Sequence, residues 1–347
     1  MAYTTVNKGS LFMNPTLYTG NSTATAHTVG FQPDFTWLKV RNASGSHYLF
    51  DSVRLATNYI QSNSNAVQGT DAQTLKSFDA NGYTVGTSNS VNTNGETMVA
   101  WNWKAGTAVS GNTGGGGTYK TYTGSVNTTA GFSIIKYTGN GAAGHTIPHH
   151  LGAAPTFRIT KNLNSISDWP IYNEVLGNTK EIKFTTTAAG TTTNYWNSTS
   201  PNATNFTLGT NGISNENGSE LISYNFTPIQ GYSKFGSYVG NGSTDGTFVY
   251  TGFKPAFIMY KKSSGTGRWT MEDNKRDPFN VATRGLEANN SSAENTGSGY
   301  WDVDLLSNGF KFRTTEQETN QSGTSYIYMV FAEAPLVGTN NIPANAR

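Results

Sequence analysis

A six-residue pattern, Gly-X-X-Pro-X-Phe, occurs three times in this chain of 347 residues and constrains its fold more than any other feature. The copies lie at 30–35, 152–157 and 252–257, and a Tyr-X-Gly-Asn sequence precedes each of them, at 18–21, 137–140 and 238–241. Self-similarity at long, regular intervals indicates repeated structural units. The repetition predicts three related domains and favours a scaffold or a multivalent surface over a single catalytic pocket.

A second signature closes each unit. A glycine lies eight residues before a closing aromatic residue. Another aromatic residue lies 20 or 21 residues before the same closing aromatic residue. Each glycine follows an Asn- or Ser-rich run that is typical of turns, so each unit is predicted to end in a β-hairpin. Each Pro-X-Phe motif is predicted to begin a strand, where proline is tolerated. The three closing sets are Tyr83, Gly95 and Trp103; Phe206, Gly218 and Phe226; and Phe310, Gly323 and Phe331.

The closing strands alternate between apolar and polar residues, the period of a half-buried strand. Val99, Trp101 and Trp103 share one face, and 222–226 and 327–331 repeat the pattern. The third copy differs because Tyr326, Tyr328 and Val330 make its other face apolar as well. We predict that a neighbouring domain or another subunit covers this face, which makes these three residues candidates for subunit packing.

Composition predicts an all-β chain. Charged residues are 13%, about half the usual share, while aromatic residues reach 12%. Abundant turn residues between short aromatic-rich runs are typical of β-proteins. We divide the chain into repeat 1 (1–104), a Gly-rich linker (105–118), repeat 2 (119–230), repeat 3 (231–335) and a C-terminal tail (336–347). The linker holds 114–117, four consecutive glycines, and is predicted to be flexible coil.

Charge and cysteine content limit the partners. A net charge of +2 is too small to favour nucleic acid. The absence of cysteine favours a reducing compartment. The N-terminal sequence lacks the apolar core of a signal peptide, and no apolar run reaches the length of a membrane span. We therefore expect a protein made in the cytoplasm that neither binds nucleic acid nor inserts into membranes.

The residues that could carry chemistry form no convincing active site. Asp302 and Asp304 could pair on one strand face as glycosidases require, but ordinary surface acids explain them better. His145, His149 and His150 could bind zinc, yet the other repeats have no matching histidines. We predict no catalytic residues, no metal site and no cofactor.

Aromatic residues suggest where a ligand could contact the chain. Trp169 and Trp269 hold equivalent places in repeats 2 and 3, with Tyr48 in that place in repeat 1, and are predicted to be core. Trp196 and Trp301 lie in runs of Asn, Ser and Thr. An aromatic ring among amides and hydroxyls suits a sugar ring, so these two are candidate glycan contacts, with packing at the sandwich edge as the alternative.

The motifs resemble repeats in virion proteins of marine tailed phages. The resemblance covers about 15–335 and rests on the Gly-X-X-Pro-X-Phe and Tyr-X-Gly-Asn motifs, 51–54, 99–106, 169–172, 231–236 and 306–310. It implies three tandem lectin-like, jelly-roll-type β-sandwiches in a surface protein often labelled a tail fibre, without catalytic residues. It also implies a virion location, other virion proteins as partners, a homo-oligomer in the particle and a host-surface glycan as a candidate ligand.

The chain lacks the long shaft of many fibres, so the resemblance leaves several functions open. The first is a tail appendage that attaches to the host, and the second is a capsid decoration protein. A glycan-binding lectin and a polysaccharide depolymerase on the same scaffold are the remaining alternatives.

The histidine cluster gives a direct test. Titration of the protein with Zn²⁺ in a calorimeter should give no binding heat, because only repeat 2 carries the three-histidine cluster. A saturable heat that His145→Ala abolishes would contradict this expectation.

Overall fold

The computed structural model describes residues 3–338. About 43% of the residues are in strands and 4% in helices, and the strand pairs are antiparallel, which confirms the all-β prediction. Residues 339–347 of the predicted tail lie outside the described residues.

Repeat 1 has a four-stranded sheet in the order β1-β9-β3-β4 and a three-stranded sheet in the order β2-β8-β7. A 3₁₀ turn at Gly9–Leu11 precedes them. Its elements are β1 (Met13–Thr19), β2 (Thr25–Thr28), β3 (Phe35–Val40), β4 (Tyr48–Asp51), β5 (Asn58–Tyr59), β6 (Gly69–Thr70), β7 (Leu75–Asp79), β8 (Gly82–Val85), α1 (Asn89–Asn92) and β9 (Thr97–Trp103).

Repeat 2 keeps the same central order, β13-β20-β15-β16, within a larger sheet. Its elements are β10 (Thr107–Asn112), β11 (Gly114–Gly115), β12 (Thr121–Asn127), β13 (Phe132–Thr138), β14 (His145–Pro148), β15 (Phe157–Asn162), β16 (Pro170–Asn173), β17 (Lys180–Lys183), β18 (Thr191–Thr192), β19 (Asn205–Leu208), α2 (Gly212–Asn215) and β20 (Glu220–Phe226).

Repeat 3 has the order β21-β28-β23-β24-β25 in its large sheet and β22-β27-β26 in its small sheet. Its elements are β21 (Ser233–Val239), β22 (Phe248–Tyr250), β23 (Phe253–Lys262), β24 (Trp269–Asp273), β25 (Leu286–Glu287), β26 (Val303–Leu306), β27 (Gly309–Phe312), α3 (Gln317–Asn320) and β28 (Ser325–Pro335).

The Gly-rich segment is not the flexible coil predicted for it. Its residues form β10, which pairs with β12, and β11, which pairs with β14. The glycines allow this close pairing, since a Cβ on Gly115 would lie 2.0 Å from the Gly144 carbonyl oxygen. The segment therefore extends both sheets of repeat 2.

The predicted closing hairpins are also wrong. In repeat 1, β8 pairs with β2 and β7, whereas β9 pairs with β1 and β3. The segment between them contains the short helix α1, followed by the Asn-rich turn that ends at Gly95, and carries the chain from the small sheet to the large one. Repeats 2 and 3 do the same through α2 and α3. The predicted strands after Pro-X-Phe are confirmed as β3, β15 and β23.

The Tyr-X-Gly-Asn sequence and the asparagine that ends each short helix recur together because they form hydrogen bonds with each other. In repeat 1, the Tyr18 hydroxyl donates to the Val91 carbonyl at 2.6 Å, and buried Asn92 accepts from the Asn21 backbone amide at 3.0 Å. The Asn92 side chain also donates to the carbonyls of Thr23 and Gly86, both at 2.7 Å. The same bonds occur around Asn215 in repeat 2 and Asn320 in repeat 3.

Each closing strand is buried on both faces, not only the third. One face of each strand joins a hydrophobic core shared by all three repeats, which includes Trp103, Phe226 and Phe331. In repeats 1 and 2 the other face meets the small sheet of its own repeat, where Ala100 and Leu221 lie in separate clusters. The repeats therefore enclose a common core and do not stand apart as separate bodies.

The Pro-X-Phe phenylalanines connect the repeats in a cycle. Phe35 of repeat 1 lies 4.5 Å from Tyr224 of repeat 2, measured between ring centroids. Phe157 of repeat 2 lies 5.9 Å from Phe235 of repeat 3. Phe257 of repeat 3 lies 5.9 Å from Trp101 of repeat 1, which closes the ring.

Three buried lysines connect the repeats in the opposite direction. The Lys39 ammonium lies 3.4 Å from the Ser291 carbonyl of repeat 3, that of Lys161 lies 3.4 Å from the Asn65 carbonyl of repeat 1, and that of Lys261 lies 3.1 Å from the Thr187 carbonyl of repeat 2. Burial lowers the pKa of each lysine to about 8.

The contact between repeats 2 and 3 lacks an ion pair that the other two contacts between repeats contain. Buried Asp51–Arg54 and Asp273–Arg276 pairs receive hydrogen bonds from the Tyr224 hydroxyl and the Trp101 indole of the next repeat. In repeat 2, Asn173 and Leu176 stand where the other two repeats have the aspartate and the arginine. On the closing strand of repeat 3, Met329 stands where Trp101 and Tyr224 stand in the other repeats, and its side chain has no hydrogen-bond donor. The contact between repeats 2 and 3 therefore lacks both the ion pair and the donor that would bind it.

The buried asparagines make a testable contribution to stability. Replacing Asn92 with alanine removes the partners of two carbonyls and one amide, and each buried unsatisfied group costs about 1–3 kcal/mol. We expect Asn92→Ala to lower the free energy of unfolding in urea by about 3 kcal/mol or more. Exposed Asn94→Ala should change it by less than about 0.5 kcal/mol. Equal effects of the two variants would contradict this role.

The buried lysines predict how stability depends on pH. Between about pH 8 and pH 10 the folded lysines release protons that the unfolded chain still holds, so the free energy of unfolding should rise with pH. Above pH 10 it should fall, since burial raises the pKa of Tyr224 and Tyr260 and the unfolded chain loses those protons first. Urea unfolding across this range checks it. Lys261→Met should reduce the rise, whereas the exposed-site variant Lys76→Met should not, and a stability that is flat from pH 8 to pH 10 would refute the expectation.

Candidate functional site

The two tryptophans predicted as glycan contacts are buried. The Trp196 indole donates to the Lys180 carbonyl at 3.0 Å, and the Arg158 guanidinium lies 4.1 Å from its ring centroid. Trp301 is 6% exposed and packs so closely on Gly285 that a Cβ there would lie 1.8 Å from its ring. Neither ring offers a face to a sugar, so the expectation that they are exposed is wrong.

The residues predicted for subunit packing are covered within repeat 3 itself. Tyr326 stacks on Tyr238 with ring centroids 4.7 Å apart, and Tyr328 meets Phe310 at 5.6 Å. Val330 is fully buried in the same cluster. Both faces of β28 are buried as predicted, but this face is covered by the repeat's own small sheet and not by a neighbouring domain or a second subunit.

The histidines have separate protein partners. His145 contacts Asn215 and Thr113, the ring of His149 meets the Asn202 carbonyl, and His150 meets the Tyr122 hydroxyl. Within residues 3–338, no group of three His, Cys, Asp or Glu residues could hold a metal ion.

The paired acids are also engaged. Asp304 accepts from the Arg313 guanidinium at 2.6 Å, and Asp302 accepts from the Gly299 amide at 2.8 Å. Trp169 and Trp269 are core residues as predicted. Their counterpart in repeat 1 is His47 and not Tyr48. Trp269 pairs with Lys261, and the equivalent of Lys261 in repeat 1 is Lys39. Tyr48 pairs with Leu38, one residue before Lys39, so the residue opposite Lys39 is His47.

The outer side of the small sheet in repeat 3 differs from those of the other repeats. On β22, Phe248 and Tyr250 point outward and are 43% and 49% exposed, whereas Val249 between them is buried. Strand pairing aligns these two positions with Ala26 and Thr28 in repeat 1, and with Thr146 and Pro148 in repeat 2. The other repeats fold with small or polar residues here, so the fold itself does not require the two aromatic rings.

Glycine shapes the centre of this surface. Tyr250 pairs with Gly309, which in turn pairs with Leu306. The Phe248 ring extends over Gly309, since a Cβ there would lie 3.0 Å from it. Lys234 donates to the Tyr250 carbonyl at 2.7 Å and holds the end of the strand.

Two more exposed apolar residues extend the surface at the far edge of the sheet. Phe279 is 77% exposed and Val281 is 42% exposed. They flank Asn280, whose side chain bonds both the amide and the carbonyl of Leu305. We call the surface formed by Phe248, Tyr250, Phe279, Val281 and Leu306 the aromatic face.

Charged residues beside the aromatic face are fixed by ion pairs. Asp245 contacts Lys311 at 2.5 Å and Arg313 at 3.0 Å, and Arg313 also contacts Asp304. The Lys311 ammonium lowers the pKa of Asp245 by hydrogen bonding and by its charge. Opposite charges therefore balance next to the rings, and the surface combines exposed aromatic area with ordered polar groups.

Sequence reasoning did not find Phe248 or Tyr250. Two aromatic residues around a valine are also typical of an ordinary buried strand. The available signal was a comparison of the three repeats at these positions, but it requires the register of β2, β14 and β22, which the motifs alone do not provide.

Comparisons with known proteins identify a family but no function. No helix among residues 3–338 is long and apolar enough to cross a membrane. No curated protein and no solved structure shows significant similarity to the chain. A family model described as a domain of unknown function, DUF7483, matches residues 8–335 and so spans all three repeats. The chain therefore belongs to the DUF7483 family.

Proposed function

We propose that this chain is a structural protein of a tailed-phage particle, displayed on the particle surface as a tail appendage that attaches to the host through the aromatic face. The proposal includes a non-catalytic role and sandwiches of the lectin-like, jelly-roll type. Its main support is that repeat 3 exposes Phe248 and Tyr250 where the other repeats carry Ala26, Thr28, Thr146 and Pro148.

The structural role of the repeated motif residues supports the same proposal. The residues that recur in all three repeats form hydrogen bonds within a repeat or pack between repeats. Specific function must then come from positions where the repeats differ. Exposed aromatic residues beside polar groups are typical of binding surfaces.

Capsid decoration is the second candidate. It is favoured by the closure of three repeats into one shared core, since the described residues contain no elongated shaft. A body of this kind can bind to the surface of a capsid as a single unit.

Copy number separates the two candidates. A tail appendage should occur in roughly six to eighteen copies per particle, because tail structures have closed cyclic symmetry. A decoration protein should approach the abundance of the major capsid protein. Quantitative mass spectrometry of purified particles measures this, and the absence of the chain from particles would refute both candidates.

Replacing the aromatic face with residues of repeat 1 tests attachment. The double variant Phe248→Ala, Tyr250→Thr should stay folded but lose roughly 2 kcal/mol of its free energy of unfolding, since about half of each side chain is covered and buried apolar area contributes about 25 cal/mol per Å². Binding of the labelled protein to host cells should fall at least tenfold. Ile166→Thr, which changes another exposed apolar residue, is the matched control and should bind normally. Unchanged host binding by the double variant would refute attachment through this face.

A further inference from the structure

A second site lies where repeat 1 meets the strands that begin repeat 2. An open cleft of about 570 Å³ separates the ends of β3 and β4 from the β10–β12 pair. This volume falls within the range of about 300–1,000 Å³ that is usual for small-molecule sites. Repeats 1 and 3, as far as residues 3–338 describe them, have no counterpart of the β10–β12 pair. The cleft is therefore specific to this junction.

A buried carboxylate forms the base of the cleft. Asp34 is 4% exposed, and its carboxylate accepts three hydrogen bonds, from the Ser52 hydroxyl at 2.8 Å, the Ser125 hydroxyl at 3.1 Å and the Ala105 amide at 2.9 Å. The hydrogen bonds from Ala105 and Ser125 join repeat 1 to the Gly-rich segment and the start of repeat 2. They also occupy the carboxylate, so it has little capacity left to bind a metal ion or an ammonium group directly.

Asp34 fixes the direction of the hydroxyl groups around it. The Ser52 hydroxyl gives its proton to Asp34, so its free lone pairs can only accept a further hydrogen bond. The Ser125 hydroxyl likewise gives its proton to Asp34, and it accepts from the Gly106 amide at 2.8 Å. The base of the cleft thus favours a ligand that donates hydrogen bonds.

The rest of the lining adds groups that both donate and accept. Gln32 contributes an amide, and Ser110 and Thr123 contribute hydroxyls on exposed side chains. Asp34 is the only charged residue in the lining, which includes no lysine or arginine to attract an anion. Ala108 and Val109 supply a small apolar wall.

We infer that this cleft binds a neutral, hydroxyl-rich small molecule, such as one or two sugar rings. Sugar hydroxyls donate and accept, as this lining requires. A phosphate would face the Asp34 carboxylate with no lysine or arginine in the lining, since Lys104, whose charge acts on that carboxylate, lies outside it. An amine would find the carboxylate already occupied by three hydrogen bonds. The inference is independent of the proposed particle function and of the aromatic face.

Protein-detected NMR titration of the full chain tests the inference. The probes are D-glucose, D-galactose, D-mannose and N-acetyl-D-glucosamine, each up to roughly 100 mM, because a shallow site gives weak, millimolar affinity. Spermidine and inorganic phosphate are the charged comparison ligands. At least one sugar should shift the amide signals of Gly106 and Gly124 in a saturable way.

Two variants and a control locate the binding. Ser110→Trp fills the cleft and should weaken sugar binding at least tenfold, and Gln32→Ala removes one exposed amide and should weaken it at least threefold. Thr192→Trp places the same bulk on an exposed position of β18, at the opposite end of the large sheet of repeat 2 from β10 and β12, and should bind like the unmodified chain. The inference is overturned if no sugar saturates these signals, if binding persists in both cleft variants, or if only spermidine or phosphate binds.

Discussion

The burial of three apolar sheet faces is the constraint on which the rest of this structure depends. Each large sheet has one face that its own small sheet does not cover, and an exposed apolar face of this size is unstable in water. The three faces meet around Trp103, Phe226 and Phe331, with Phe331 5.8 Å from Trp103 and 5.9 Å from Phe226. The cyclic phenylalanine contacts and the buried lysines follow from this closure.

This shared core also limits where function can lie. Side chains at the repeated motif positions are used to lock each repeat or to join it to the next, as Asn92, Asn215 and Asn320 show. Freedom to change remains on the outer sides of the small sheets and at the junctions between repeats. The aromatic face of repeat 3 and the cleft at Asp34 occupy these two kinds of place.

The sequence allowed the all-β class and the strands after Pro-X-Phe to be predicted, because local residue preferences control both. It did not reveal that Trp196 and Trp301 are buried. Their neighbours in sequence are polar, but their neighbours in space are Arg158 and Gly285, which come from distant parts of the chain. The Gly-rich segment was misinterpreted for a related reason, since glycine suits both a flexible linker and a strand that must approach another backbone closely.

The sequence by itself determined the three repeats, their signatures and the alternation of the closing strands, because these depend on short-range spacing. Only the tertiary structure decided that the repeats share one core and that Phe248 and Tyr250 remain exposed. The physical reason is that burial depends on which surfaces meet. The same alternating strand can face a partner sheet, a neighbouring repeat or solvent, and the arrangement of all three repeats selects among them.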